Sequence, residues 1–115
     1  MSWTLKVRDH FSAAHFLREY QGKCEKVHGH TFHVEVEIAI VELDRTGLGI
    51  DFTLIKAKLA EILPDHAFLN EAYAFNPSAE NLARQFYNDL KPHFPVRAVT
   101  VWESEDASAT YTEDH

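Results

Sequence analysis

The chain has 115 residues, eighteen acidic against eleven basic, for a formal charge of −7. That length suits one domain, here residues 1–115, with a single hydrophobic core, since domains of roughly 100 to 150 residues are the commonest size. The basic residues lie singly along the chain, which excludes nucleic acid or an anionic membrane as the main partner. The opening MSWTLKVRDHF lacks the apolar run of a signal peptide. No segment approaches the roughly 18 apolar residues of a spanning helix. A soluble, cytoplasmic protein is therefore expected.

Trp3, Leu5 and Val7 alternate with Thr4, Lys6 and Arg8, the period of a half-buried strand. TFHVEVEIAIV repeats the pattern more strongly, with Phe32, Val34, Val36, Ile38 and Ile40 on one face and His33, Glu35 and Glu37 on the other. These two segments are expected to pair antiparallel, joined by a loop from Phe16 to Val27. After the turn-rich DRTGLG, Phe52, Ile55, Leu59 and Ile62 recur at helical spacing, with Asp51 placed as N-cap and Pro64 as stop. In NPSAENLARQFYNDL a second helix is expected, capped by Ser78, with Glu80 in its first turn and an apolar stripe of Leu82, Phe86 and Leu90. VRAVTVWE then alternates, and a polar turn at SEDAS leads to a short strand near Ala109 to Thr112. The order predicts an α+β domain: an antiparallel four-stranded sheet with two helices on one face.

Strand parity organises the histidines, of which five of the eight fall in the first third. If the second strand starts near His28, then His28 and His30 share the apolar face with Phe32 and Val34. If the first strand runs on without a bulge, His15 joins them from the partner strand. Three imidazoles with a fourth position free is the donor set of a catalytic zinc site; two hydrogen-bonded histidines at a strand end is the plainer alternative. His10 and His33 take the opposite parity and are expected in solvent. Cys24, the only cysteine, sits in the polar run KCEK. It is open to three uses: a small buried hydrophobe, a thiolate base or nucleophile, or a fourth zinc ligand. Asp65 and His66 follow the first helix; adjacent residues rarely bond each other, so the pair is expected to meet a third group in space. Glu103 has the inward parity of Val99 and Val101, so it either reaches water at the strand end or waits for paired N–H donors of a ligand such as an aminopyrimidinone edge.

FSAAH, CEKVHGH, GLGIDF, PDHAFLN, NPSAEN and VWES, in this order and spacing, resemble the 6-pyruvoyltetrahydropterin synthase family, which includes the 6-carboxytetrahydropterin synthase of queuosine biosynthesis. The resemblance covers nearly the whole chain and implies the tunnelling fold, in which three subunits close an oligomeric barrel and two barrels stack into a homohexamer, a dimer of trimers. It implies Zn2+ on His15, His28 and His30, with Cys24 as proton acceptor. Asp65 and His66 would complete a relay with Cys24 across a subunit boundary, and Glu103 would anchor the pterin. The implied reaction converts 7,8-dihydroneopterin triphosphate to 6-carboxytetrahydropterin; the pyruvoyl product of the animal enzyme is the alternative. Lys23, Lys26 and Arg18 are the nearest candidates for the triphosphate.

Some relatives carry a glutamate three residues before HGH and resemble enzymes that cleave the side chain for folate synthesis. Glu25 holds that place here, as a substrate contact for a dual activity or as a solvated loop charge. A zinc- or pterin-binding module without activity would be expected to lack Cys24 or the Asp65-His66 pair, and this chain keeps all three. Pro64, Gly49 and Ser104 stand where the family more often has leucine, a larger residue and threonine.

Overall fold

The computed structural model describes residues 2–22 and 25–113. Strand β1 spans Trp3–His15 and β2 spans His28–Ile40. They pair antiparallel without interruption, from Trp3 opposite Ile40 to His15 opposite His28. Because the side-chain period of a strand is two, an unbroken ladder carries one parity to its end. Val7, Phe11, Ala13 and His15 of β1 are all buried, as are Phe32, Val34, Val36, Ile38 and Ile40 of β2.

Helix α1 (Phe52–Ile62) begins at Asp51, whose carboxylate accepts from the Thr53 amide. It inserts Ile55 and Leu59 into the core, whereas Phe52, expected in the same stripe, is exposed. Next come a two-residue strand β3 (Ala67–Phe68) and a single-turn helix α2 (Leu69–Ala72). Helix α3 (Ala79–Leu90) is capped by Ser78 and buries Leu82, Ala83, Phe86, Tyr87 and Leu90. Strands β4 (Val96–Trp102) and β5 (Ser108–Thr112) complete a sheet of order β3-β1-β2-β4-β5.

The expected antiparallel four-stranded sheet with two helices is thus corrected to a five-stranded mixed sheet with three. The additional strand β3 runs parallel to β1, with Ala67 and Phe68 against Ala13 and Ala14. It is placed by bonds to Ser12: the Ser12 amide donates to Asp65 Oδ1 at 2.9 Å and the Ser12 carbonyl accepts from the His66 amide at 2.6 Å.

The core joins the inward faces of β1, β2 and β4 to α1 and α3. Phe11 stacks on Phe32 at 4.9 Å and meets the edge of Phe86 at 5.7 Å. Phe32 in turn touches the rings of His15 and His30, at 5.3 and 5.5 Å. The apolar core therefore ends directly on the histidines, which excludes water from one side of them. In the β2–α1 connection, a Cβ on Gly49 would stand 2.8 Å from the Ile40 side chain, so a larger residue there requires Ile40 to move. No helix among the described residues is long and apolar enough to cross a membrane.

Candidate metal centre

The register that pairs His15 with His28 also puts His30 on the same face two residues on. The three rings meet edge to face, with centroids 4.7 Å apart for His15–His28 and for His28–His30, and 5.1 Å for His15–His30. His15 is fully buried. Its Nδ1–H donates to the Pro77 carbonyl at 2.8 Å, and the Nδ1–H of His28 donates to the Lys26 carbonyl at 2.8 Å. A carbonyl on Nδ1 keeps the proton there and leaves Nε2 as the nitrogen able to ligate, the arrangement that orients a metal-ligating histidine.

The Nε2 atoms of His15 and His30 are buried and have no hydrogen-bond partner. Glu103 Oε1 lies 3.4 Å from His30 Nε2, an ion-pair distance without hydrogen-bond alignment. One ligand atom each from His15, His28, His30 and Glu103 lies within 4.8 Å of all the others. Burial holds the pKa of His30 below that of a free imidazole; Glu103 opposes this, and His15 and His28 reinforce it. Buried ring nitrogens left without a partner, as on His15 and His30, are costly unless something partners them in the site. The donor set fits a divalent cation of zinc's kind, with Glu103 beside it.

Glu103 follows β4 directly, where its amide donates to the Ala107 carbonyl at 3.2 Å. The inward parity expected from Val99 and Val101 brings it to His30, with about a third (36%) of its side chain still open to water. It also lines a cavity of about 290 Å³ with Ala79, Glu80, Ser104, Ala107, Ser108 and Ala109. Glu80 was legible in the sequence only as a first-turn acid of α3. Its place beside a second carboxylate emerges only when α3 packs against the turn after β4.

Asp65 and His66 do bond each other, contrary to expectation: His66 Nδ1 lies 3.0 Å from Asp65 Oδ2. His66 adopts a left-handed φ of +56° at this contact. The third group is the Ser12 amide, which is the largest influence holding the Asp65 carboxyl below its ordinary range; His66 adds to it. The pair sits exposed at the outer edge of β1, level with Ser12, which precedes His15 by three residues. His10 and His33 are exposed, as their parity implied, with ring centroids 5.7 Å apart.

Cys24 and Lys23 lie outside the described residues. Next to them, Glu25 closes the loop onto Leu17: its carboxylate accepts from the Leu17 amide at 3.0 Å and its own amide donates to the Leu17 carbonyl at 3.2 Å. Its charge nonetheless reaches His30, whose imidazolium it favours. The guanidinium of Arg18, considered for the triphosphate, donates to the carbonyls of Asn70, Ala74 and Phe75. It serves the loop, and Lys26 remains exposed.

Residues 4–114 match the family model described as 6-pyruvoyl tetrahydropterin synthase. The chain is 36% identical over 100 residues to the 6-carboxy-5,6,7,8-tetrahydropterin synthase of Bacillus subtilis, covering 80% of this chain and 68% of that protein. It is 39% identical over 99 residues to the putative 6-carboxy-5,6,7,8-tetrahydropterin synthase of Archaeoglobus fulgidus, covering 84% of each. Among solved structures, the Caenorhabditis elegans 6-pyruvoyl tetrahydropterin synthase superposes with a TM-score of 0.83 at 24% identity, over 99% of this chain and 97% of that one, a likeness of fold.

Proposed function

Since the chain belongs to the 6-pyruvoyl tetrahydropterin synthase family, we propose that it is a zinc-dependent lyase. The reaction is the conversion of 7,8-dihydroneopterin triphosphate to 6-carboxy-5,6,7,8-tetrahydropterin, acetaldehyde and triphosphate, within queuosine (7-deazaguanine) biosynthesis in the cytoplasm. The observation that carries this is the trio of His15, His28 and His30, with two orphaned Nε2 atoms converging beside Glu103, in a chain whose curated relatives are named for that product.

His15, His28 and His30 would hold Zn2+ through Nε2, and the ion would supply Lewis acidity toward the hydroxyl and carbonyl oxygens of the substrate side chain. Glu103 receives the paired N–H donors of the pterin edge, for which the adjoining cavity has room. Cys24, as thiolate, takes the proton from the side-chain carbon next to the ring. Asp65 and His66 pass protons to and from that thiol, reaching it from a neighbouring subunit. Their exposure at the outer edge of β1 is consistent with this, since both side chains remain accessible while Asp65 is bonded to Ser12. The assembly is a homohexamer of one-domain subunits. Its support is the sheet itself, whose end strands β5 and β3–β1 leave edges that must be paired or covered.

The test is mass-spectrometric identification of the product from 7,8-dihydroneopterin triphosphate. The expected products are 6-carboxytetrahydropterin and acetaldehyde. A pyruvoyl product would place the chain with the animal-type enzyme instead. Hydroxymethyl pterin lost specifically in Glu25→Gln would make Glu25 the base of a second, folate-type cleavage.

A further inference from the structure

The residues just after His15 lie outside any strand, yet their backbone groups are satisfied as though in one. The Phe16 amide donates to Asn70 Oδ1 at 2.9 Å, and the Phe16 carbonyl accepts from Asn70 Nδ2 at 3.0 Å. Arg18 repeats the arrangement with Asn76, at 2.8 and 3.2 Å. A carboxamide with one donor and one acceptor so placed replaces a rung of a β-ladder. Between them Leu17 faces the other way, where Glu25 takes both its amide and its carbonyl. The chain beyond the buried ligand is therefore held along both edges.

Asn76 differs from Asn70 in what its own backbone does. Its carbonyl accepts from the Ser78 amide at 2.8 Å and from Asn81 Nδ2 at 2.9 Å. The next carbonyl, that of Pro77, is the acceptor for His15 Nδ1. Proline fixes its own φ and restricts the residue before it, so where Asn76 is held, the Pro77 carbonyl is held too. One end of this clamp is the loop at Arg18, and the other is the N-terminal turn of α3.

We propose that Asn76 is a positioning residue of the metal centre: by clamping Arg18 and fixing the Pro77 carbonyl, it locks His15 in the tautomer whose Nε2 faces His28 and His30. This rests on the reading of the three histidines as a metal site. Asn70 stitches the same loop, but its carbonyl accepts from Arg18 and it is not the neighbour of Pro77, whose carbonyl takes the His15 Nδ1–H, so the tautomer lock is assigned to Asn76.

The test is zinc affinity of the purified full chain, measured by competition with a chelator of known affinity, together with the His15 tautomer read by nitrogen-15 NMR on the metal-free protein. The wild type is expected to bind about one zinc per chain; if it binds none, the metal-site reading fails first and the proposal with it. In Asn76→Ala the affinity should fall about 10- to 100-fold, the usual effect of losing an outer partner of a ligand, and His15 should show both neutral tautomers. The core variant Ile55→Val lowers stability without touching the loop and should bind zinc as the wild type does. Should Asn76→Ala not fold, Asn81→Ala removes one of the two donors to the Asn76 carbonyl and should weaken zinc in the same direction by a smaller factor. Wild-type affinity with an unchanged His15 tautomer, in either variant, overturns the proposal.

Discussion

Removing zinc should lower the melting temperature by an amount that can be worked out from the site. Without the ion, the Nε2 atoms of His15 and His30 are buried and unpartnered, and a buried group left in that state costs about 1–3 kcal/mol. Free zinc at about one hundred times its dissociation constant stabilises the folded state by about 2.7 kcal/mol. Unfolding entropy near 60 °C is about 2.1 cal/mol/K per residue, so a 115-residue chain gains about 0.24 kcal/mol/K on unfolding. The two figures together give a shift of about 11 °C. The assay is thermal unfolding at one fixed protein concentration, with zinc and then with excess chelator, for the wild type and for His28→Ala. The variant, with one of three ligands gone, should show little dependence on zinc. A wild-type shift under about 2 °C, or an equal shift in His28→Ala, would refute the reasoning, since either result means that the orphaned nitrogens are not where zinc binds.

Cys24→Ala should reduce turnover at least about 100-fold, the scale of losing a general base, whereas Glu25→Gln should leave carboxytetrahydropterin formation nearly intact. A steady-state assay on both variants checks this, and equal losses would contradict it. Burial pushes the Asp89 carboxyl above its ordinary range, with the bond from Gln85 opposing. A raised carboxyl pKa weakens the fold as pH rises through it, so Asp89→Asn should melt higher than the wild type at pH 7, and the two should converge by about pH 3. A melting difference independent of pH would count against that. In solution the protein should sediment at six times the 13.2 kDa chain mass, and a monomer at micromolar concentration would contradict the proposed assembly.

The histidine centre was legible because one simple rule held for thirteen residues. β1 and β2 pair without a bulge, so the parity of Val7 passes unchanged to His15, and that of Phe32 passes back to His30 and His28. Helix caps were legible for an equally local reason: Asp51 and Ser78 each bond an amide two or three residues on. What was hidden depends on contacts between distant residues. β3 has two residues and hence no period, and it is set by Asp65 and His66 reaching Ser12. The contact between Asp65 and His66 comes with a left-handed φ at His66, which a non-glycine residue adopts uncommonly. Phe52 has the right spacing for the α1 stripe, but only Ile55 and Leu59 are fully buried against the sheet. Asn70 and Asn76 stand out by no pattern in the sequence, and their role appears only when the chain after His15 is found between them and Glu25.

The most direct measurement is the zinc content of Cys24→Ala beside that of His28→Ala. An open centre of three histidines, with the thiol left free to act as base, predicts about one zinc per chain retained in Cys24→Ala and lost in His28→Ala. If Cys24→Ala loses its zinc as completely as His28→Ala does, the site is closed by the thiolate and structural, and the catalytic role proposed for Cys24 is wrong.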